Sequence, residues 1–499
     1  VEADASAEEV SMIAAVTTTH SAPVKSVSRN ACKLCAPLGA CLALRGVEGA
    51  VPFLHGSQGC ATYIRRYMIS HFKEPLDIAS SNFGETSAIF GGLENLREGL
   101  ANVIRQYAPQ LIGIATTCLA ETIGDDVGFH LRQIAAEASG ERGTGPICRN
   151  GPTAGSDAKR WSSHKLDLSP FPSVPELVHV STPSYAGTHV EGFHATVRAL
   201  VETLAQAGPR HEAVNVLPGM VSPADLRYLK DLFRDFGLEP IMLPDYSSTL
   251  DGPIWSEYQR IPPGGTPLEA IRRMGSARAT IEFGSTWDRW QTAGAVLEER
   301  FGVPRYDLPP PIGVTQTDRL TELLGELAGR PMPADHYEER ERLIDAYVDS
   351  HKHVFGKRAV VYGEQDLVVG LASLLAEIGI VPALCASGGR SGRLREQLVA
   401  LEPDLHDDIT ALEGADFSEI EAHAADGQFD LAIGNSKGYG LSRKLQIPLV
   451  RVGFPIHDRV DGPRLLHVGY RGAQQLFDRV ANAVIAAAQD ASPVGYSYM

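Results

Sequence analysis

The chain has 499 residues, 43% of them hydrophobic, enough for about two to four compact domains, each with its own core. Its 45 basic and 61 acidic residues leave a formal charge of -16, which disfavours nucleic acid and anionic membranes as partners. No apolar run reaches the length of a membrane span, and the opening VEADASAEEV lacks the cationic and apolar regions of a signal peptide, so a cytoplasmic protein is expected.

In chain order, residues 1–30 read as a polar leader. The stretch ACKLCAPLGACLALRGVEGAVPFLHGSQGC, residues 31–60, then holds four of the chain's seven cysteines. In a reducing compartment such a cluster is more often a set of metal ligands or catalytic thiols than disulfides. Cys35 precedes Pro-Leu-Gly, Cys60 closes the small-residue loop HGSQGC, and Cys118 follows the apolar run LIGIATT. Small residues let the backbone approach something bulky, and turns after strands present side chains into a shared crevice. Thiolates gathered there suit soft metals and iron-sulfur clusters. Cys32-x-x-Cys35 could be a zinc half-site or a redox pair, but no second pair completes it. Cys41, in an apolar helix-like run, and Cys385 read as core, whereas Cys148 falls in a Gly/Ser/Pro-rich insertion at 138–178.

Further on, VNVLPGMVSPADLRYLKDLFRDFGLEPIMLP predicts strand, turn, helix and strand. AVVYGEQDLVVGLASLLAEIGIVPALC repeats that plan, and FDLAIGNSKGYGLSRKLQIPLVRVG adds another such unit. The alternation predicts an α/β protein with parallel sheets flanked by helices, divided at 31–210, 211–330 and 331–499. GGRSGR at 388–393 reads as a surface turn, His55 and His71 as structural, and no Walker A sequence is present, so nucleotide hydrolysis belongs to another protein. Three thiolates fall short of the four ligands a small cluster usually takes. A second subunit supplying the remainder is the economical answer, which makes the cluster an interface feature of an oligomer.

The runs CAPLGACLALRGVEGAVPFLHGSQGCATYIRRYMISHFKEP, SAIFGGLENLREGL, IGIATTCLAETIGDD, STPSYAGTHVEGF and VNVLPG closely resemble the β-type subunit of nitrogenase component 1 and its nitrogenase-like relatives. The likeness covers most of residues 31–470. It implies three Rossmann-like domains in the component 1 architecture, and an 8Fe-7S P-cluster shared with an α-type subunit. Cys35, Cys60 and Cys118 match this chain's cluster ligands, Ser184 the serine that can join them on oxidation, and Tyr63 a tyrosine beside the cluster. It also implies an α2β2 heterotetramer, a homodimeric ATP-dependent iron-sulfur reductase as electron donor, and a complex iron-sulfur cofactor in the α-type subunit. Asp345 and Asp349 lie four apart, on one helix face, where two carboxylates suit a hard divalent cation. In the family that pair, helped by the glutamate matching Glu74, binds a metal between β subunits.

Some features depart from the molybdenum-nitrogenase pattern. Only about 34 residues precede the first ligand cysteine, so the family's long N-terminal arm is expected to be short or missing. Cys32 and Cys41 surround that ligand, and SSNFGETSAIFGG and the insertion at 138–178 are further differences. Within the family these departures resemble the methylthio-alkane reductases, which cleave carbon-sulfur bonds reductively. The alternatives are a β subunit of a dinitrogen-reducing enzyme and a β-like cofactor-assembly scaffold, the latter generally lacking the Cys118 equivalent. In the electron-relaying role no general acid or nucleophile is expected from this chain.

Overall fold

The computed structural model describes residues 30–138, 175–401, 408–425 and 427–494. They build three parallel sheets flanked by helices. The first contains β1 (Ala50–His55), β2 (Ala79–Ser80), β3 (Leu111–Thr116) and β4 (Glu176–Val180), in the order β2-β1-β3-β4. The second orders β5 (His211–Leu217), β6 (Pro240–Met242), β7 (Ala277–Phe283) and β8 (Arg305–Leu308) as β6-β5-β7-β8. The third orders β9 (Arg358–Gly363), β10 (Val381–Ser387), β11 (Thr410–Glu413), β12 (Leu431–Gly434) and β13 (Leu449–Arg451) as β11-β10-β9-β12-β13. Every strand pair is parallel. The central strands AVPFLH and LIGIAT are buried at every position, as expected of strands covered by helices on both faces. The three β-turn-helix-β units legible in the sequence fold as such.

Each sheet starts in its middle and then grows to both sides. The order therefore reverses between β1 and β3, between β5 and β7, and between β9 and β12. Crevices open beyond the strand C-termini at such points, and they are where sheets of this kind collect ligands.

Helix Ala36–Arg45 is buried along its whole length. Apolar apart from its last residue, Arg45, it is a core helix. It crosses helix His189–Leu204 backbone against backbone: a Cβ on Gly39 would lie 1.6 Å from the His189 carbonyl oxygen, and one on Gly192 1.9 Å from that of Ala36. The segment ahead of this helix is held by the far end of the chain. Cys32 N–H donates to the Ala415 carbonyl at 3.4 Å, Phe417 N–H to that of Asn30 at 3.2 Å, and Lys437 Nζ to those of Ala31 and, at 3.2 Å, Lys33.

The expected insertion at 138–178 is shorter at both ends. Helix Val127–Ala138 runs to its first residue, and β4 begins at Glu176, because ELVHV pairs with β3 from Leu111↔Glu176 onward. Cys148 lies outside the described residues. GGRSGR is only half a surface turn, since Gly388 and Gly389 are buried while Arg390 to Gly392 are exposed. No described helix is long and apolar enough to cross a membrane.

Candidate functional site

Cys60 and Cys118 follow β1 and β3, the two strands that flank the first reversal point. Ser57 caps helix Gln58–Phe72, accepting from Gly59 N–H at 3.3 Å, and this places Cys60 in the helix's first turn. Cys118 opens the short helix Cys118–Thr122. The two turns touch at Gly56, where a Cβ would sit 1.9 Å from Thr117 Oγ1, so only glycine lets them close. Cys35 arrives from a third direction, as the N-cap of helix Ala36–Arg45, which has a proline in its first turn. Its side chain makes no capping bond, so the sulfur is free for other work. An antiparallel bridge to Thr188 and a 3.1 Å bond from His189 N–H to the Leu34 carbonyl fix it beside the start of helix His189–Leu204.

The three cysteines are only partly buried, in contrast to Cys32, Cys41 and Cys385, which are fully buried. They also sense one another. Burial pushes the Cys35 thiol up to about 11, the nearby Leu38 N–H works against it, and Cys60 and Cys118 add to the rise by charge repulsion. Burial, then Cys118, raises Cys60. A cation bridging the sulfurs would reverse that repulsion. Ser184 N–H donates to Cys118 Sγ at 3.2 Å, so the expected serine stands at the same place. Thr182 ties this strand to β3, its N–H and hydroxyl reaching Thr116 at 3.0 and 2.7 Å. Glu121 receives the hydroxyls of Thr116 and Ser181.

Among the described residues no group of three or more His, Cys, Asp or Glu side chains could hold a single metal ion. The zinc reading of Cys32 and Cys35 therefore gains nothing: Cys32 faces Lys437 and Glu364, and burial pushes its thiol up to about 12. Three partly exposed thiols that form no single-ion site suit a larger, multi-iron cluster whose other ligands come from elsewhere. The residues present fit such a group.

Tyr63 is half exposed, and its hydroxyl donates to that of Tyr67 at 3.0 Å. Tyr67, missed in the sequence, interacts electrostatically with Cys35. The Tyr63 hydrogen bond, then burial, pushes it up to about 12, and Cys35 contributes. Its spacing of four from Tyr63 on one helix was the available signal. The second missed group lies behind the cysteine turns. Asp125 bridges His55 Nε2 at 2.8 Å and His130 Nε2 at 2.7 Å, and accepts Gly92 N–H at 3.0 Å. Burial works to raise Asp125, but the two histidines outweigh it and hold the carboxyl below its ordinary value. His55 is thus structural, as expected. So is His71, which accepts Ile456 N–H at 2.9 Å.

Asp345 and Asp349 are exposed on helix Ala334–Val354. Among the described residues no contact brings Glu74 to them; burial, then Asp251, raises its carboxyl, and Gly252 N–H donates to it.

The chain, with its three parallel sheets, matches the Nitrogenase component 1 type Oxidoreductase family over residues 35–485. The chain belongs to that family. Within it the chain is a β-type subunit. It is 33% identical over 464 residues to the nitrogenase molybdenum-iron protein beta chain of Clostridium pasteurianum, covering 92% of this chain and 94% of that one. It is 32% identical over 476 residues to the nitrogenase iron-molybdenum cofactor biosynthesis protein NifN of Bradyrhizobium diazoefficiens, covering 93% and 91%. A solved structure of nitrogenase Cp1 at pH 6.5 superposes with a TM-score of 0.85 at 31% identity, over 96% of this chain and 98% of that one. Near-equal identity to a beta chain and to a biosynthesis protein singles out no substrate.

Proposed function

We propose that this chain is the electron-relaying half of a two-component reductase, with Cys35, Cys60 and Cys118 holding its share of a P-cluster. The observation that carries this reading is the charge coupling among three partly exposed thiols near the first reversal point, with the Ser184 N–H on Cys118 Sγ. Bound there, the cluster would supply single-electron steps. The chain's own contribution is to bind it through three sulfurs and to donate a hydrogen bond to one of them, a contact that raises reduction potential. Tyr63 and Tyr185, each close in sequence to a site residue, leave 53% and 68% of their surface open, an aromatic rim suited to cover by an α-type subunit. The docked reductase would provide ATP-driven electrons, and the α-type subunit the substrate cavity.

Of the substrates, the departures at residues 80–92 and around Cys35 favour reductive cleavage of methylthio-alkanes: two electrons and two protons convert R–S–CH3 into R–H and CH3SH. The purified complex, given its reductase, ATP and a low-potential donor, should release methanethiol and reduce dinitrogen poorly. Ammonia without methanethiol would return it to nitrogenase proper. Inactivity, with transfer of a bound precursor cluster to an apo-enzyme, would make it a scaffold.

Asp345, Asp349 and a second chain's Glu74 would share a divalent cation between β subunits. The double variant Asp345→Ala, Asp349→Ala should shift light scattering toward half-particles while leaving cluster absorbance intact. An unchanged tetramer, with no divalent metal in the parent, would remove this site.

A further inference from the structure

A second crevice opens where the second and third sheets point the C-terminal ends of their strands at each other. Its wall takes residues 218–222 after β5, Thr286 and Trp287 after β7, and residues 364–367 after β9. Two of the three reversal points thus share one cavity of about 90 Å³, lined by none of Cys35, Cys60 and Cys118. That is room for about six to nine water-sized atoms.

Two side chains at this cavity have a buried polar atom without a partner: Gln365 Nε2, in a residue 8% exposed, and His467 Nε2, in a residue 6% exposed. Gln365 opens helix Gln365–Glu377, whose N-cap Glu364 makes no side-chain cap, so unsatisfied backbone N–H groups lie beside the unsatisfied amide. His467 Nδ1 lies 3.0 Å from Asp225 Oδ2. Burial works to raise Asp225, but His467 and the surrounding N–H groups hold it below its ordinary value, so it is an acceptor. In the neutral ring Nδ1–H donates to Asp225 and Nε2 is left as an acceptor facing the cavity. One wall asks for an acceptor and another for a donor.

Charge narrows the occupant. Four carboxylates, Glu191, Asp225, Glu364 and Asp366, line the cavity against one lysine, Lys33, so the balance of charge disfavours anions. His71 and His194 offer no compensation, since burial pushes them down to about 3 and about 4. Cations find the carboxylates already engaged. Asp366 accepts Ser285 N–H, Thr286 N–H, the Thr286 hydroxyl and Trp287 Nε1–H at 2.8 to 3.0 Å, and Glu364 meets His189 Nε2 at 3.1 Å. Asp225 also takes the backbone N–H groups of Ser222, His467 and Val468. Phe72, Phe283, Ile312, Leu367 and Phe454 supply apolar wall.

We propose that this cavity binds a small neutral molecule bearing both a carbonyl and an N–H or O–H, such as a short-chain primary amide, the carbonyl on Gln365 Nε2 and the donor on His467 Nε2. The apolar wall takes the alkyl tail. Butyramide has the right size and is the probe. Ligand-detected NMR on the purified complex should show saturable butyramide binding, with butyrate and butylammonium at least tenfold weaker. Gln365→Met, which keeps length but removes the donor, should weaken butyramide at least tenfold with iron content unchanged. Absence of saturable binding, equal affinity for either ion, or indifference to Gln365→Met would overturn the proposal. Should that variant fail to assemble, a crystal of the parent complex soaked in butyramide decides: an amide between Gln365 and His467 upholds the site, and water alone refutes it.

Discussion

Cys118→Ala is expected to strip iron from the complex and to lower reductase-driven turnover by more than about a hundredfold, beyond the loss usual for a ligand's hydrogen-bond partner. The fold should survive. Cys118 is partly exposed at the start of a five-residue helix and contributes no side chain to the sheet's core. Its sulfur accepts from Ser184 N–H, a group that water can satisfy once the sulfur is gone. Iron analysis, turnover and circular dichroism on the same preparation separate loss of a ligand from loss of structure. Full iron and full activity would sink the assignment of this cysteine.

Gly39→Val should instead cost fold and iron together. The new Cβ would fall 1.6 Å from a backbone oxygen of helix His189–Leu204, and a backbone cannot rotate away as a side chain can. The penalty is expected at or above the upper end of the about 1–3 kcal/mol typical of overpacking. Because the pushed helix carries Cys35 at its N-cap, the melting temperature and the iron content should fall in step. Gly440→Ala is the contrast: that helical position has nothing within 4 Å, and alanine there should be neutral or stabilising by about 0.5–1 kcal/mol. An unshifted melting temperature for Gly39→Val would disprove the crossing.

The fold was legible because parallel strands buried on both faces leave unbroken apolar runs, and LIGIAT or AVVYG can be little else. Cys41 and Cys385 could be told from Cys35, Cys60 and Cys118 by their settings, inside apolar runs rather than in turns beside them. The insertion's edges were misjudged because ELVHV, five residues after a long polar stretch, shows its strand character only once β3 stands beside it. Tyr67 and Asp125 sat in quoted runs, yet their roles depend on what lies across from them. The second cavity was invisible for a stronger reason. Its walls draw on residues from Cys32 to Val468, and no local spacing records such a gathering.

The grip of Lys437 on the carbonyls of Ala31 and Lys33 spans 406 and 404 residues of sequence. A polypeptide leaving the ribosome emits Cys35 early and Lys437 late, so the clasp that seats the residues ahead of Cys35 cannot form until most of the chain has emerged. Contacts of such separation are slow to close and leave early segments waiting. The order of translation thus makes Cys35, the earliest of the three site thiols to be synthesised, among the last to be fixed in place.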